Sequence, residues 1–392
     1  MAEAATVKEG WTLVKFGDVV QQCKEKVDPE TSGLERYVAG DHMDTDDVHL
    51  RRWGAIGDGY LGPAFHMRFR PGQVLYGSRR TYLRKVAVAD FDGVCANTTF
   101  VLEPRGAKLI PELLPFIMQS EPFVRHSVKQ SRGSVNPYVN FSDLAWYEFP
   151  LPPLDQQRRI ADALWALERS LETTREMQAS VQRLRTALIE ETIEALGTRF
   201  SRFPLREFLD DVSYGCSKRA GYHSSGVPIL RIPNVLRGEI DLSDLKRVEL
   251  NDKELDRFAV EYGDLLMVRT NGNPDYVGRC VVAEGLPEQT VYASYLIRLR
   301  VRPQMLRPGY LAAVINSPSS RRKLRADVRS SAGNYNINAE GIRRQEIVMP
   351  DLESQDVLLA RLNELEAARR SLLSRGNQTL AFKNRLLQEV SQ

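Results

Sequence analysis

The chain has 392 residues, 42% of them hydrophobic and 27% charged, which is too long for one ordinary domain and predicts two or three. Its formal net charge is only +3, so overall charge does not announce nucleic acid, and any such binding has to rest on local clusters. The four cysteines, Cys23, Cys95, Cys216 and Cys280, form no C-x-x-C pair, which argues against a zinc site or a disulfide framework and fits a reducing cytoplasm.

Met1 to Gly10 has no apolar core, so no signal peptide is expected. No run of about 18 apolar residues predicts a membrane span. Residues 11–150 contain short apolar runs broken by Gly, Pro, Asp and Asn, such as Val86-Ala-Val88 and Thr99-Phe-Val-Leu102, which read as strands of a mixed sheet. A short helix fits Ile110 to Gln119, and a strand fits Trp146 to Leu151. Asp155 to Leu196 then reads as one long helix, with Ile160, Leu164, Leu167, Leu171, Val181, Leu184 and Leu188 on a heptad-like seam. Gly197 is its expected stop. At 1.5 Å per residue, ~40 residues span about 60 Å.

The pattern then starts again. Strands fit Pro228 to Ile232, Leu265 to Val268, Cys280 to Val282 and Tyr295 to Leu299, and a short helix fits Pro308 to Asn316. A second long helix is expected from about Glu353 to Val390, with Leu358, Leu362, Leu365, Leu372, Leu380, Phe382, Leu386 and Leu387 on its apolar side. Gly376-Asn377 is where it would kink or divide. A helix this long needs another helix to cover its stripe, and the nearest candidate is its own repeat, paired antiparallel about a pseudo-twofold axis.

The repetition is explicit at a constant offset of 198 residues. Leu154 meets Leu352, Gln157 meets Gln355, Leu164 meets Leu362, and Glu168 meets Glu366. Upstream, Trp11-Thr-Leu-Val-Lys-Phe resembles Phe203-Pro-Leu-Arg-Glu-Phe, and Pro71-Gly-Gln-Val-Leu75 resembles Tyr262-Gly-Asp-Leu-Leu266. Markers in the same order in both halves are the signature of an internal duplication.

No catalytic constellation emerges. Asn136-Pro-Tyr138 and Asn273-Pro-Asp-Tyr276 faintly resemble the Asn-Pro-Pro-Tyr loop of amino-methyltransferases, but no Gly-x-Gly follows a strand to hold a cofactor. There is no phosphate loop of the Gly-x4-Gly-Lys-Ser/Thr type. Pro350-Asp-Leu-Glu353 lacks the Glu-x-Lys of a nuclease. His42, His49, His66, His126 and His223 show no i, i+4 metal pairing, so no metal is expected.

Polar, basic and aromatic loops remain. Gly77 to Lys85 places Arg79, Arg80, Tyr82, Arg84 and Lys85 directly after a strand, and Gln130 to Tyr138 offers Arg132, Ser134 and Asn136. In the second half the matching stretches are Val268 to Tyr276, with Arg269, Asn271, Asn273 and Tyr276, and Ser331 to Asn338, with Asn334, Tyr335 and Asn336. Arg231 and Asn234 follow an earlier strand. Arg321-Arg-Lys-Leu-Arg325 adds charge nearby. Arginine and lysine contact phosphates, arginine also forks onto guanine, and asparagine reads adenine. These seventeen residues are the expected DNA contacts.

The order domain, Pro-Leu-Pro-Pro-Leu-x-x-Gln, long helix, domain, long helix resembles the specificity subunit of type I restriction–modification systems. The resemblance covers nearly the whole chain. Its most specific part is Phe149-Pro-Leu-Pro-Pro-Leu-Asp-Gln-Gln-Arg-Arg-Ile160. The second copy, Met349-Pro-Asp-Leu-Glu-Ser-Gln-Asp-Val357, departs from it at Asp351 but keeps the leucine and one glutamine. The resemblance implies an α+β protein in which two repeated target-recognition domains, 1–153 and 198–351, are joined by two long antiparallel coiled-coil helices, 154–197 and 352–392. It implies a cytoplasmic, non-catalytic subunit that reads a bipartite double-stranded DNA site, with the helices setting the gap. The implied partners are two modification subunits, which methylate adenine, and the restriction subunits. S-adenosylmethionine, ATP and magnesium would bind those partners, leaving this chain with no cofactor. The alternative is a stand-alone DNA-binding accessory factor of another phage-defence system.

Overall fold

The computed structural model describes residues 8–222, 225–236, 238–331 and 333–390. The expectations for Met1–Val7 and His223 therefore lie outside the described residues. Contacts divide the chain into two compact units, one of residues 1–175 and 373–392, the other of residues 176–372. Each long helix supplies part of itself to each unit. The first spans Leu154–Gly197 and the second Leu352–Val390. The second runs undivided through Gly376-Asn377, so the expected break does not occur.

In unit 1 the centre is a four-stranded antiparallel sheet in the order Val20–Cys23, Thr99–Pro104, Val74–Gly77, Val86–Val88. Side chains alternate across a strand with period two, and both faces are apolar here. Val74, Tyr76, Val86, Phe100 and Leu102 point one way, into a core shared with Leu113, Phe116, Phe123 and the helix residues Ala161, Leu164 and Leu387. Leu75, Ala87 and Val101 point the other way, against Val38, Phe69 and Cys95 of a second sheet. That sheet is mixed: Arg36–Val38 runs parallel to Gly93–Ala96, while Gly54–Ala55 and Phe65–Phe69 pair antiparallel at its edges.

Unit 2 repeats the plan. Its central sheet runs Leu209–Tyr214, Leu296–Val301, Leu265–Val268, Cys280–Val282, all antiparallel. Leu265, Met267, Ile297 and Leu299 face Tyr310, Leu311 and the helix residues Ile189, Ile193, Leu358 and Leu362. Leu266, Val268 and Leu296 face a second, mixed sheet in which Val227–Leu230 runs parallel to Val291–Tyr292 and antiparallel to Lys246–Val248. The fourth strand of that sheet in unit 1 is reduced in unit 2 to a single antiparallel bridge, Ala259 to Val291.

The duplication reaches single hydrogen bonds. Gly72 N donates to Ala89 O at 2.8 Å and Gly263 N to Ala283 O at 2.9 Å. Both glycines have φ near +85°, which is why the Gly-x marker survives in both halves. Gln157 and Gln355 are 1% and 0% exposed. Each donates to two carbonyls and accepts one amide: Gln157 bonds Lys108 O, Pro152 O and Ile110 N, and Gln355 bonds Met305 O, Pro350 O and Arg307 N, all between 2.7 and 3.0 Å. This glutamine ties the first turn of each long helix to the loop before a short helix. The register also corrects one alignment. Phe16 N donates to Tyr147 O and Leu205 N to Gln345 O, so Phe16 corresponds to Leu205 and not to Phe208. The similar Phe-x-Asp strings mislead by three residues.

Within each unit the two long helices pair antiparallel. In unit 1 Gly376 approaches Thr174, and Lys383 forms a buried ion pair with Glu168. In unit 2 Arg185 feels the charge of Glu366. Glu168 and Glu366 are repeat partners, and so are Arg185 and Lys383. The seam carries polar residues that periodicity alone read past. Leu184 and Leu380, expected inside, are 56% and 45% exposed, while Arg185 lies in the seam with Ile189. The run Arg185–Ile189–Ile193–Leu196 lies in the seam, one residue on from the expected stripe through Leu184 and Leu188.

Candidate nucleic-acid interface

The two loops singled out in the first half meet. Arg79 bridges Tyr138, Arg80 N donates to Pro137 O at 2.6 Å, and Val139 N donates to Ser78 O at 3.0 Å. Arg80 Nε reaches Asn136 Oδ1 at 3.2 Å, and the hydroxyls of Thr81 and Ser131 lie 2.9 Å apart. Arg132 and Tyr138 exchange both backbone bonds. The result is one exposed patch. Arg79, Arg80, Ser134 and Asn136 are exposed, Tyr82 and Tyr138 are 54% and 41% exposed, and the Arg79 guanidinium makes no bond among the described residues.

Not every cation in the loop is free. Arg80 and Arg84 both adopt φ near +50°, a left-handed conformation costly for a side chain with a Cβ. They bracket the 3-10 turn Thr81–Leu83. Arg84 holds that turn down: it pairs with Asp46 and Glu121 and donates to Gln119 O at 2.9 Å. Lys85 Nζ donates to Gly40 O. Arg132 pairs with Asp143 at 3.0 Å but stays open to solvent. Arg84 and Lys85 thus shape the loop, and Arg79, Arg80 and Tyr82 are what it displays.

Unit 2 builds the same junction from different residues. Thr270–Asn271 pairs antiparallel with Asn334–Asn336, matching Thr270 to Asn336 and Asn271 to Tyr335, and Ile337 N donates to Arg269 O at 3.0 Å. Each contact repeats one in unit 1, so Asn271, Asn334 and Asn336 stand where Arg80, Asn136 and Tyr138 stand. Asn271 Oδ1 accepts from Asn273 N, and Asn273 Oδ1 accepts from Asp275 N. Both amide NH2 groups remain as donors. Arg269 stacks over the Tyr214 ring at 4.6 Å and donates to Ser294 O. Arg279 stacks over Tyr276. Arg321 donates to Val277 O and Asp275 O, and Arg325 pairs with Asp275, so two cations of the 321–325 cluster fasten the end of this loop.

Arg231 and Asn234 stand apart from that junction. Asn234 is 2% exposed. Its amide accepts from Arg231 N and donates to Asp241 O and Asp244 O, which makes it a fold residue with nothing left for a ligand. Arg231 pairs with Asp244. Tyr138 and Tyr214 join these loops without being among the expected contacts. Their signal was an aromatic set among polar loop residues, legible only once the loops are known to meet.

Among the described residues, no group of three His, Cys, Asp or Glu side chains is placed to hold a metal, and no helix is long and apolar enough to cross a membrane.

Two three-layer units, each with a two-loop polar junction and a share of both long helices, define a duplicated protein. Residues 8–183 match the family model described as the type I restriction modification DNA specificity domain. The chain is 27% identical over 304 residues to the EcoKI specificity subunit of Escherichia coli strain K12, covering 72% of this chain and 65% of that one. It is 24% identical over 255 residues to the StySPI specificity subunit of Salmonella potsdam, covering 62% and 55%. The matched segment therefore spans less than two thirds of either relative. Among solved structures, a chain described under complex assembly and conformational transition of the type I R-M system is similar over 99% of both chains, with TM-score 0.61 and 20% identity. The type I S subunit from M. genitalium is similar over 100% and 98%, with TM-score 0.59 and 12% identity. The chain is thus similar to type I specificity subunits, with the family model matching its residues 8–183.

Proposed function

We propose that this chain is the DNA-reading subunit of a type I restriction–modification complex, recognising a bipartite duplex site with one half read by each unit. One observation carries the proposal: an identical loop junction is built twice on the same hydrogen-bond frame, with Arg80, Asn136 and Tyr138 in one copy and Asn271, Asn334 and Asn336 in the other. A duplicated frame with divergent tips suits two different half-sites. Arg79 and Arg80 supply phosphate or guanine contacts, and the asparagines supply donor–acceptor pairs for base edges. Arg132, Ser134, Arg269, Asn273, Tyr276 and Tyr335 line these junctions.

The chain contributes specificity and no chemistry. Methylation belongs to two modification subunits, which hold S-adenosylmethionine, and ATP-driven cleavage to restriction subunits, with the complex acting in the cytoplasm. The polar, exposed faces of the long helices support a protein-binding role. The deciding experiment co-expresses the chain with its modification subunit in a host free of other adenine methylases and sequences modified bases. One asymmetric bipartite adenine motif is expected. No motif with an active partner would reject the proposal. Tight site binding by the chain alone, with no co-purifying methyltransferase, would favour a stand-alone accessory factor.

A further inference from the structure

Unit 2 contains a cleft of about 490 Å³ that the junction does not use. One wall is the segment after strand Leu209–Tyr214. Cys216 N donates to Tyr292 O and Ser294 N to Cys216 O, both at 2.8 Å. This close pairing needs Gly215, where a Cβ would lie 2.3 Å from Tyr292 O. Its lining is apolar at Ile229, Ile232 and Ala293. It is cationic and aromatic at Lys218, Arg219, Arg231, Lys246 and Tyr295, with Lys218 and Arg231 paired to Glu254 and Asp244. Arg219 is exposed and has no ion pair among the described residues. Tyr295 is 58% exposed.

The cleft is continuous with the reading junction. Arg269 N donates to Tyr295 O at 2.9 Å, and Arg269 Nη1 to Ser294 O at 3.3 Å. Arg269 precedes the strand Thr270–Asn271, so the cleft borders the junction that carries Asn271.

The chemistry of the lining selects the occupant. A phosphate alone needs cations but no apolar floor, and it would fill a small part of this volume. A free hydrophobic group needs the floor but not Arg219 and Lys246. A nucleotide uses both: its base against Ile229, Ile232 and the Tyr295 ring, its phosphate toward Arg219 and Lys246. Stacking on an aromatic side chain together with cationic phosphate contacts is the general way proteins hold an unstacked base. The volume lies in the ordinary range for small-ligand sites.

We propose that this cleft receives one unstacked nucleotide of the bound DNA, within or just beside the half-site read by unit 2. The inference rests on the proposed function. The test uses the complex of this chain with its modification subunits, without S-adenosylmethionine, on duplexes carrying 2-aminopurine at each position of that half-site and its flanks. One position other than the methylated adenine is expected to brighten several-fold. Tyr295→Ala and Arg219→Glu should abolish that signal while specific DNA binding persists; both side chains are exposed, so folding is retained, and circular dichroism checks it.

No brightened position, or brightening that survives both variants, overturns the proposal. Binding of free deoxynucleoside monophosphates, lost in Tyr295→Ala but without a bright position in DNA, also overturns it, by reassigning the cleft to free nucleotides. Loss of all sequence-specific binding in the unmodified complex would count against the proposed function instead.

Discussion

A few side chains do most of the structural work, and they are separable from those proposed to meet DNA. Gln157 and Gln355 each satisfy three buried backbone groups. Leaving such groups unpaired costs about 1–3 kcal/mol, so Gln157→Ala and Gln355→Ala should each lower unfolding stability by about 2 kcal/mol. Urea titration followed by circular dichroism measures this, and an unchanged midpoint in either variant would refute the anchoring role. The arginines of the first junction divide in the same way. Arg79→Ala and Arg80→Ala should leave stability intact, weaken DNA binding and reduce the salt slope by about one for each phosphate no longer neutralised. Arg84→Ala should instead loosen the 80–84 turn, because its bonds to Asp46, Glu121 and Gln119 are internal. Salt-titrated binding isotherms of the three variants distinguish the roles; an equal slope change in all of them would contradict the division.

Between elements, charge fastens the long helices to the sheets and to each other. Asp47 accepts from Arg51 Nε at 2.7 Å and from Arg175 Nη1 at 3.0 Å, and Arg51 also clamps Glu172. Burial opposes the charge on Asp47, but hydrogen bonds from His49 and Arg51 outweigh it and hold its pKa well below the usual carboxylate range. A depressed folded pKa stabilises above the unfolded value near 4, and that contribution is lost as pH falls below it. Asp47→Asn should therefore flatten the acid limb of the stability curve between roughly pH 5 and pH 2, and an unchanged limb in thermal melts across that range would refute it. Glu168 and Lys383 are 4% and 3% exposed, with Lys383 also 3.1 Å from Gln119 Oε1. Removing one partner of such a pair costs about 3–5 kcal/mol, whereas replacing both by apolar residues is near neutral. Lys383→Met should destabilise by that amount, and adding Glu168→Leu should recover most of it. Failure of the second change to rescue would mean the pair does not act as a unit. These elements also mark what sequence could supply. The long helices were legible because about 40 residues of heptad spacing are hard to mistake. The exposure of Leu184 escapes periodicity, which counts apolar residues and does not register that half-buried Arg185 takes the seam position. The helix Glu121–Gln130 was missed because Ser120, with extended φ and ψ, breaks the pattern between it and the helix before it. The meeting of Ser78 with Val139, and of Arg269 with Ile337, depends on pairing across some sixty residues, which no local signal encodes.

At the scale of the whole chain, the informative quantity is the difference between two copies of one plan. The glycine turn, the anchoring glutamine and the central sheet recur, while the loop tips do not. The glutamine and the sheet tolerate little change because they are buried and bonded, and the turn glycine because its φ is positive. The tips are exposed and hold their shape through backbone bonds, so their side chains can vary without loss of the frame. Substitution at the tips should therefore act on one half of the recognised motif at a time. Asn271→Ala with Asn336→Ala removes donors from unit 2 without touching a buried bond of its core. Sequencing of modified bases should then show a relaxed or altered second half-site beside an unchanged first half-site. Arg80→Ala with Asn136→Ala should produce the reverse, a relaxed first half with the second intact. Discrimination of about 1–3 kcal/mol for each bidentate pair removed corresponds to a tenfold or greater rise in methylation at sites mismatched in that half alone. If either pair of substitutions degraded both halves together, the two junctions would not be independent readers, and the duplication would have to serve symmetry of assembly rather than an asymmetric site.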